Sequence, residues 1–305
     1  MRRPGDPYDL VVIGGGLAGL TAAHHAALRG LAVTCIDEGG HMGGLVMNVS
    51  DVDGYPAMGT VSGAELAAAQ LEAILDLGVE IVPDTATGIR VDGEIKVVST
   101  GMGDQKARQV LLASGARLKT LGVPGEEAFL GRGVSQCADC DAGFFMDQKV
   151  VVVGGGDSAL QEALHLADYA SEITLVTRGD GLRARQSYVT RAAENPKFSF
   201  KWQTEVAEIV GSDGVEGVRL KSSAGGEAED LACSGVFVFV GLTPNSDFLP
   251  AEIERDGEGF VKTGPGFATS VPGIYAVGAV RAGFSGQLAS AAGEAASAVA
   301  GLPAP

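Results

Sequence analysis

The stretch Gly133–Arg183, GVSQCADCDAGFFMDQKVVVVGGGDSALQEALHLADYASEITLVTRGDGLR, decides how the rest of the chain is read. It carries a Cys-x-x-Cys pair, Cys137 and Cys140, with an acid, Asp141, next to it. Ten residues on, the apolar run Val150–Val153 enters Gly154-Gly155-Gly156-Asp157-Ser158-Ala159. A strand running into a glycine turn and then a helix is the context in which backbone N–H groups cradle a pyrophosphate. A redox-capable pair therefore stands directly ahead of a dinucleotide loop. The simplest use of that arrangement is to move two electrons between a nicotinamide and a disulfide.

Working outward, the glycine fingerprint has an earlier copy. Tyr8–Ile13 reads as a strand, Gly14-Gly15-Gly16-Leu17-Ala18-Gly19 as G-x-G-x-x-G, Leu20–Arg29 as a helix, and Leu31–Ile36 as a strand ending at Asp37-Glu38. The first glycine suits the tight turn, the second the approach of backbone to phosphate, and the third the close packing of helix on strand. The two copies are offset by 140: Gly14 falls on Gly154, Gly16 on Gly156, Gly19 on Ala159, and Glu38 on Arg178. An acid there accepts the hydroxyls of a free ribose, whereas an arginine suits a 2′-phosphate. FAD at the first loop and NADPH at the second, with NADH the lesser option, is the pairing these opposite charges predict.

With 305 residues the chain is long enough for two domains. Its 22 Lys+Arg against 38 Asp+Glu give a net charge of −16, which argues against nucleic acid or an anionic membrane as partner. No run approaches 18 apolar residues, so no membrane span is expected. Asp6, Pro7 and Asp9 break what could pass for a signal peptide after Met1-Arg2-Arg3. Four cysteines do not make a disulfide scaffold, and a reducing cytoplasmic setting is expected, in which Cys-x-x-Cys is more often catalytic or metal-binding than structural. A zinc site would need two further ligands. Cys35 and Cys233 lie in apolar strands and read as core, as do Phe144 and Phe145, while His24, His25 and His165 read as helix residues and His41 as a loop residue that could approach a flavin.

Between the two fingerprints, Gly63–Leu77 reads as a helix, Val79–Val82, Gly88–Val91 and Ile95–Ser99 as short antiparallel strands, and Val110–Ala113 as a strand entering Ser114-Gly115-Ala116. Phe198–Glu205, Glu208–Val210 and Val215–Lys221 repeat the small-strand pattern. Val236–Val240 and Gly273–Val277 are further strands, and residues 286–300 form a closing helix. The expected fold class is α/β, with two Rossmann-like three-layer dinucleotide-binding domains. The second (118–244) is inserted in the first (1–117 and 245–305), and each has a small antiparallel β excursion.

These stretches together resemble the low-molecular-weight thioredoxin reductases, flavoproteins of the pyridine nucleotide-disulfide oxidoreductase class. The resemblance spans nearly the whole chain and rests on GGGLAGL, the Gly43-Gly44 step, Ala113-Ser114-Gly115-Ala116, CADCD, GGGDSA, Arg178…Arg183 and GVFVFVGLTPN. It implies a homodimer that reduces a protein disulfide, thioredoxin's or that of a similar small redox protein. It implies FAD held by Gly14, Gly16, Gly19, Glu38, Gly44, Ala113, Gly115, Gly278 and Gln287. It implies NADPH held by Gly154, Gly156, Asp157, Ser158, Ala159, Arg178 and Arg183. It further implies a Cys137–Cys140 disulfide attacked at Cys140 by reduced flavin, with Cys137 attacking the partner and Asp141 as acid–base. A rotation of the second domain about the crossings near Arg117–Leu121 and Val240–Asn245 goes with that mechanism. Asp141 also suits a helix cap, and Asp139, inside the pair, disfavours a thiolate.

Three departures mark this chain. Gly179 replaces one arginine of the 2′-phosphate motif; a charged hydrogen bond is worth roughly 1.5–3 kcal/mol, so the loss lowers NADP preference about 10- to 150-fold. Ala279 stands where the family has an acid that contacts the FAD ribityl, and Gly286 precedes Gln287 in place of arginine. Leu45 and Gly54 alter two further positions near the flavin. Such a cluster keeps other readings open: a flavin disulfide oxidoreductase with another donor or acceptor (a ferredoxin-linked reductase or a dithiol oxidase), or a redox-sensing flavoprotein.

Overall fold

The computed structural model describes residues 3, 5–38, 42–50, 52, 55, 61–222, 225 and 228–303. His41 and Gly54 lie outside the described residues. The chain divides into two compact units, Met1–Arg117 with Thr243–Pro305, and Leu118–Leu242.

In chain order the first unit opens with β1 (Tyr8–Ile13), α1 (Leu17–Leu28), β2 (Val33–Asp37), α2 (Gly63–Asp76), β3 (Glu80–Pro83), β4 (Ala86–Asp92), β5 (Ile95–Thr100) and β6 (Gln105–Leu112). β7 (Ala116–Leu118) leads out of it. Both faces of β1 are covered: Leu10 and Val12 pack with α1 and the closing helix, and Val11 and Ile13 with Val110, Leu112 and Ile274. A strand buried on both sides reads as a continuous apolar run, which is why YDLVVI shows no alternation. The sheet order is β3-β2-β1-β6-β5-β4. Helix α2 starts on a capping box, in which Ser62 Oγ accepts from Glu65 N–H at 3.1 Å and Ser62 N–H donates to Glu65 Oε2 at 2.8 Å. Such a cap is worth about 1 kcal/mol.

The second unit holds β8 (Val134–Ser135), α3 (Ala138–Asp141), β9 (Lys149–Val153), α4 (Asp157–Leu166), β10 (Glu172–Val176), α5 (Gln186–Glu194), β11 (Phe198–Lys201), β12 (Thr204–Gly211), β13 (Val215–Ser222), β14 (Glu229–Ala232) and β15 (Gly235–Val238). Its parallel sheet runs β11-β10-β9-β15-β8, beside a separate antiparallel sheet β12-β13-β14. The same two-sided burial recurs, with Val150 and Val152 in one core cluster and Val151 and Val153 in the other. The return crossing is β16 (Leu242–Pro244), which pairs with β7; β17 (Ile274–Ala276) then pairs with β6, and α6 (Leu288–Ala300) closes the first unit. No described helix is long and apolar enough to cross a membrane.

The sequence repeat is a repeat of register. Leu10 pairs Val33 in parallel, and 140 residues on Val150 pairs Ile173; Ile13 pairs Ile36, and Val153 pairs Val176.

Several expectations need correction. β3 is parallel to β2, because α2 carries the chain across the sheet and returns it in the same direction, as a β-helix-β crossover must. Phe198–Glu205 is not one strand: β11 joins the parallel sheet beside β10, Gln203 turns at φ 49°, and β12 begins the antiparallel sheet. Helix α1 starts at Leu17, directly after its N-cap Gly16. Phe145 is buried against Phe237, but Phe144 is 77% exposed.

Candidate active site

In the first unit the candidate cofactor residues gather at the carboxyl ends of the adjacent parallel strands β2, β1, β6 and β17, where open α/β sheets bind ligands. Gly14, at φ 107°, turns the chain off β1 and donates its N–H to Ile36 O at 2.8 Å. A Cβ on Gly14 would lie 2.3 Å from Ala113 O, and one on Gly19 would lie 1.8 Å from Gly14 O, so α1 sits on the turn with no room for a side chain. At Gly16 a Cβ would meet nothing nearer than Gly43 O at 3.7 Å. No side chain caps α1, whose first N–H groups stay available to an anion.

The loop after β2 returns to this turn: Gly43 N–H donates to Gly15 O at 2.8 Å, and Gly44 follows at φ 63°. The acid that engages the glycine turn is Asp37, whose Oδ2 accepts Gly15 N–H at 2.6 Å. Glu38 is exposed and lies 3.4 Å from Thr85 Oγ1. Leu45 is 41% exposed. Ala113 N–H donates to Ile13 O at 2.8 Å, and Gly115 O accepts Asn245 N–H at 3.0 Å. Gln287 is the N-cap residue of α6 and makes no side-chain cap bond.

At Gly278, just before Ala279, where the sequence lacks the expected acid, a carboxylate arrives from another element. Glu294 of α6 accepts the Gly278 N–H through Oε2 at 2.8 Å and pairs with Arg281, its side chain 11% exposed. Arg281 also donates Nε to Glu294 Oε2 at 3.2 Å and lies over the Phe267 ring. Neither Glu294 nor Arg281 is flagged by any motif; the sequence signal is only a glutamate inside an Ala-rich helix.

The second unit repeats the turn. Gly154 N–H donates to Val176 O at 3.0 Å, and a Cβ on Gly154 would lie 2.3 Å from Phe239 O. Gly156 is the N-cap of α4, again without a side-chain cap, and a Cβ there would meet nothing within 4 Å. Ala159 is buried and Ser158 exposed. Asp157 is engaged within the protein, accepting Arg185 N–H at 2.7 Å and Arg185 Nε at 3.1 Å. Arg183 N–H donates to Gly155 O at 2.7 Å, which ties the arginine loop to the glycine loop. The Arg178 and Arg183 side chains are exposed, and no described side chain holds either guanidinium.

Cys137 and Cys140 are bridged, with Cα atoms 5.3 Å apart. Cys137 is the N-cap of the one-turn helix α3; its N–H donates to Ser135 Oγ at 3.0 Å, and its Sγ accepts Cys140 N–H at 3.2 Å. Cys137 is half-buried and Cys140 exposed. Behind the bridge, Glu162 of α4 accepts the Ala138 N–H at 2.7 Å. Burial pushes its carboxyl up to about 7, with Asp139 adding to the rise and the Ala138 bond opposing it. Asp139 lies 3.3 Å from His165 Nε2, which gives this histidine a partner that its sequence position did not reveal. Asp141 ends α3 and makes no cap bond to the turn that follows. Cys35 and Cys233 are buried free thiols, each pushed up to about 12 chiefly by burial.

Comparison with known proteins agrees with this geometry. Residues 8–296 match the pyridine nucleotide-disulphide oxidoreductase family. The chain is 41% identical over 273 residues to a thioredoxin reductase of Mycolicibacterium smegmatis, covering 89% of this chain and 88% of the relative. It is 40% identical over 291 residues to that of Listeria monocytogenes, covering 94% and 90%. The crystal structure of Lactococcus lactis thioredoxin reductase superposes with a TM-score of 0.92 at 36% identity, covering 96% of this chain and 97% of the other. The protein is an oxidoreductase with a redox-active cysteine pair, and it belongs to the pyridine nucleotide-disulphide oxidoreductases as a low-molecular-weight thioredoxin reductase.

Proposed function

We propose that this protein passes electrons from NADPH, through FAD held by the first unit, to the Cys137–Cys140 disulfide. From there they go to the disulfide of thioredoxin or a similar small redox protein. The observation that carries the reading is the bridged pair seated one strand ahead of the second glycine loop. Both glycine turns fit a pyrophosphate: each leads into a helix with no side-chain cap, a Cβ at Gly16 would make no contact closer than 3.7 Å, and one at Gly156 would meet nothing within 4 Å. The flavin, when bound, supplies the exchange between a two-electron hydride donor and the sulfur couple.

The chain's own residues do the rest. Arg178 and Arg183 present free guanidinium groups suited to a 2′-phosphate. Reduction breaks the S–S bond with two electrons and leaves a dithiol. The thiolate of Cys137 then attacks the partner disulfide, and the Cys137–Cys140 bridge re-forms as the partner dithiol leaves. Asp141, with no cap role, is free to exchange protons with the thiols. Phe144, three residues beyond it, and Met146 are exposed apolar groups that suit a protein surface docking beside the cysteines. We also propose a homodimer that works in the reducing cytoplasm.

Anaerobic titration of the flavin-loaded protein with NADPH tests the reading. Loss of the oxidised flavin absorbance, followed by reduction of added thioredoxin, is expected. A flavin bleached by reduced ferredoxin but untouched by NADPH would transfer the reading to the alternative donor, for which the missing arginine at Gly179 is the supporting observation.

A further inference from the structure

Glu162 has no place in the electron path described above, yet its half-buried carboxylate is in direct contact with the cysteine turn. It reaches from α4 to the N–H of Ala138, the residue bonded to Cys137, at 2.7 Å. That turn is only four residues long, so its first N–H groups depend on partners outside it. Two of those groups are engaged at the same end: Ala138 N–H by Glu162, and Cys140 N–H by Cys137 Sγ.

We propose that Glu162 is a positioning residue of the Cys137–Cys140 couple, one that holds the backbone beside Cys137 and takes up a proton when the bridge is reduced. The inference rests on Cys137–Cys140 being the redox couple. Reduction breaks the S–S bond, adds two electrons from a dithiol or from the flavin, and leaves either two thiols, with two protons taken up, or one thiol and one thiolate, with one. A thiolate formed on Cys137 belongs to the residue directly before the N–H that the Glu162 carboxylate accepts. Two negative charges there repel in a partly desolvated setting. Protonation of Glu162 removes that repulsion, so a third group exchanges a proton with the couple. The half-protonated state of Glu162 near pH 7, caused by its burial, puts this exchange in the working range.

The charged neighbours do not cancel the effect. Asp139 of α3 raises the Glu162 carboxyl further and is itself paired with His165 of α4. Asp141 of α3 adds a second negative charge near the turn. Asp157, at the start of α4, is bound to Arg185 beside α5. Lys149 of β9 and Glu172 of β10 pair at the amino ends of their strands.

The test is the midpoint potential of the couple in the flavin-loaded protein, equilibrated with dithiothreitol buffers between pH 6 and 8.5 and read by trapping free thiols. Glu162→Gln keeps an acceptor for Ala138 N–H and removes the charge. Its potential is expected to match the wild type at pH 6 and to exceed it at pH 8.5, with about a tenfold shift of the equilibrium towards the dithiol, about 30 mV for a two-electron couple. Glu162→Ala, which also loses the bond, is expected to lower the thermal midpoint. His165→Gln removes the imidazole beside Asp139 and is expected to leave the wild-type profile in place. Superimposable wild-type and Glu162→Gln profiles, or loss of the inflection in His165→Gln alone, overturn the proposal. A pair that never equilibrates with dithiothreitol at any pH overturns the underlying assignment of the couple instead.

Discussion

The Glu294 carboxylate, in the middle of the closing helix, accepts the backbone N–H of Gly278 at 2.8 Å, just before Ala279. The same carboxylate is paired with Arg281, and both side chains are largely buried. Breaking a buried pair by removing one partner typically costs about 3–5 kcal/mol, because the other charge is left uncompensated. Glu294→Ala is therefore expected to lower the thermal midpoint and to weaken FAD binding, measured by the return of flavin fluorescence on dilution. Arg281→Met with Glu294→Leu, which removes both charges, is expected to recover most of the stability.

Cys140→Ser removes the sulfur that the flavin is expected to attack, and Cys137→Ser the one that meets the partner. Each variant is expected to abolish thioredoxin reduction. Bleaching of the flavin by NADPH should survive in both, since neither cysteine lies in the second glycine turn. Stopped-flow absorbance separates the two steps.

Arg178 and Arg183 stand exposed beside the second glycine loop, and Gly179 lies between them. Loss of one charged hydrogen bond costs roughly 1.5–3 kcal/mol. Arg178→Ala is expected to raise the KM for NADPH about 10- to 150-fold and to leave that for NADH almost unchanged. Gly179→Arg is expected to move the NADPH:NADH preference in the opposite direction. Initial rates with both nucleotides settle the matter.

Glu162 links stability to pH. Its carboxyl is raised in the folded protein, so the folded state holds a proton that the unfolded chain releases at lower pH. The resulting stabilisation is present below the ordinary carboxyl range, near 4.5, and fades as pH rises through about 7. Glu162→Gln is thus expected to gain on the wild type above pH 7, by at most about 3 kcal/mol at 1.36 kcal/mol per pKa unit, and to lose that advantage near pH 4.5. Urea unfolding at pH 5 and pH 8 reads the difference.

Phe144 lies open to solvent close to the cysteine turn. Phe144→Ala is expected to raise the KM for a protein disulfide several-fold while leaving reduction of a small aromatic disulfide unchanged. An equal loss on both substrates would assign Phe144 to the turn's own structure.

Much of this architecture was legible because local chemistry specifies it. YDLVVI and KVVVV have to be strands buried on two sides, and a glycine that meets the next strand's carbonyl has to be a glycine, whatever the rest of the chain does. The 140-residue repeat carried the register of both β-α-β units for the same reason: side chains that alternate across a sheet fix the pairing. The cysteine pair was legible too, since three residues of spacing suffice to bring two sulfurs together across one helical turn. The direction of β3 and the split of Phe198–Glu205 were not, because a short apolar run is compatible with either strand direction and its neighbour decides. Nor was the exposure of Phe144, where one of two adjacent rings turns inward onto Phe237 and the other has nowhere to go.

By itself, then, the sequence determined two glycine turns, one followed by an acid and the other by an arginine, and a cysteine pair ahead of the second. Only the tertiary structure decided which carboxylates serve them: Asp37 at Gly15, Glu294 at Gly278 and Glu162 at Ala138. The physical reason is range. A glycine turn is enforced by contacts within its own unit, whereas a carboxylate delivered from another helix to a backbone N–H depends on how that helix packs, and no local pattern records it.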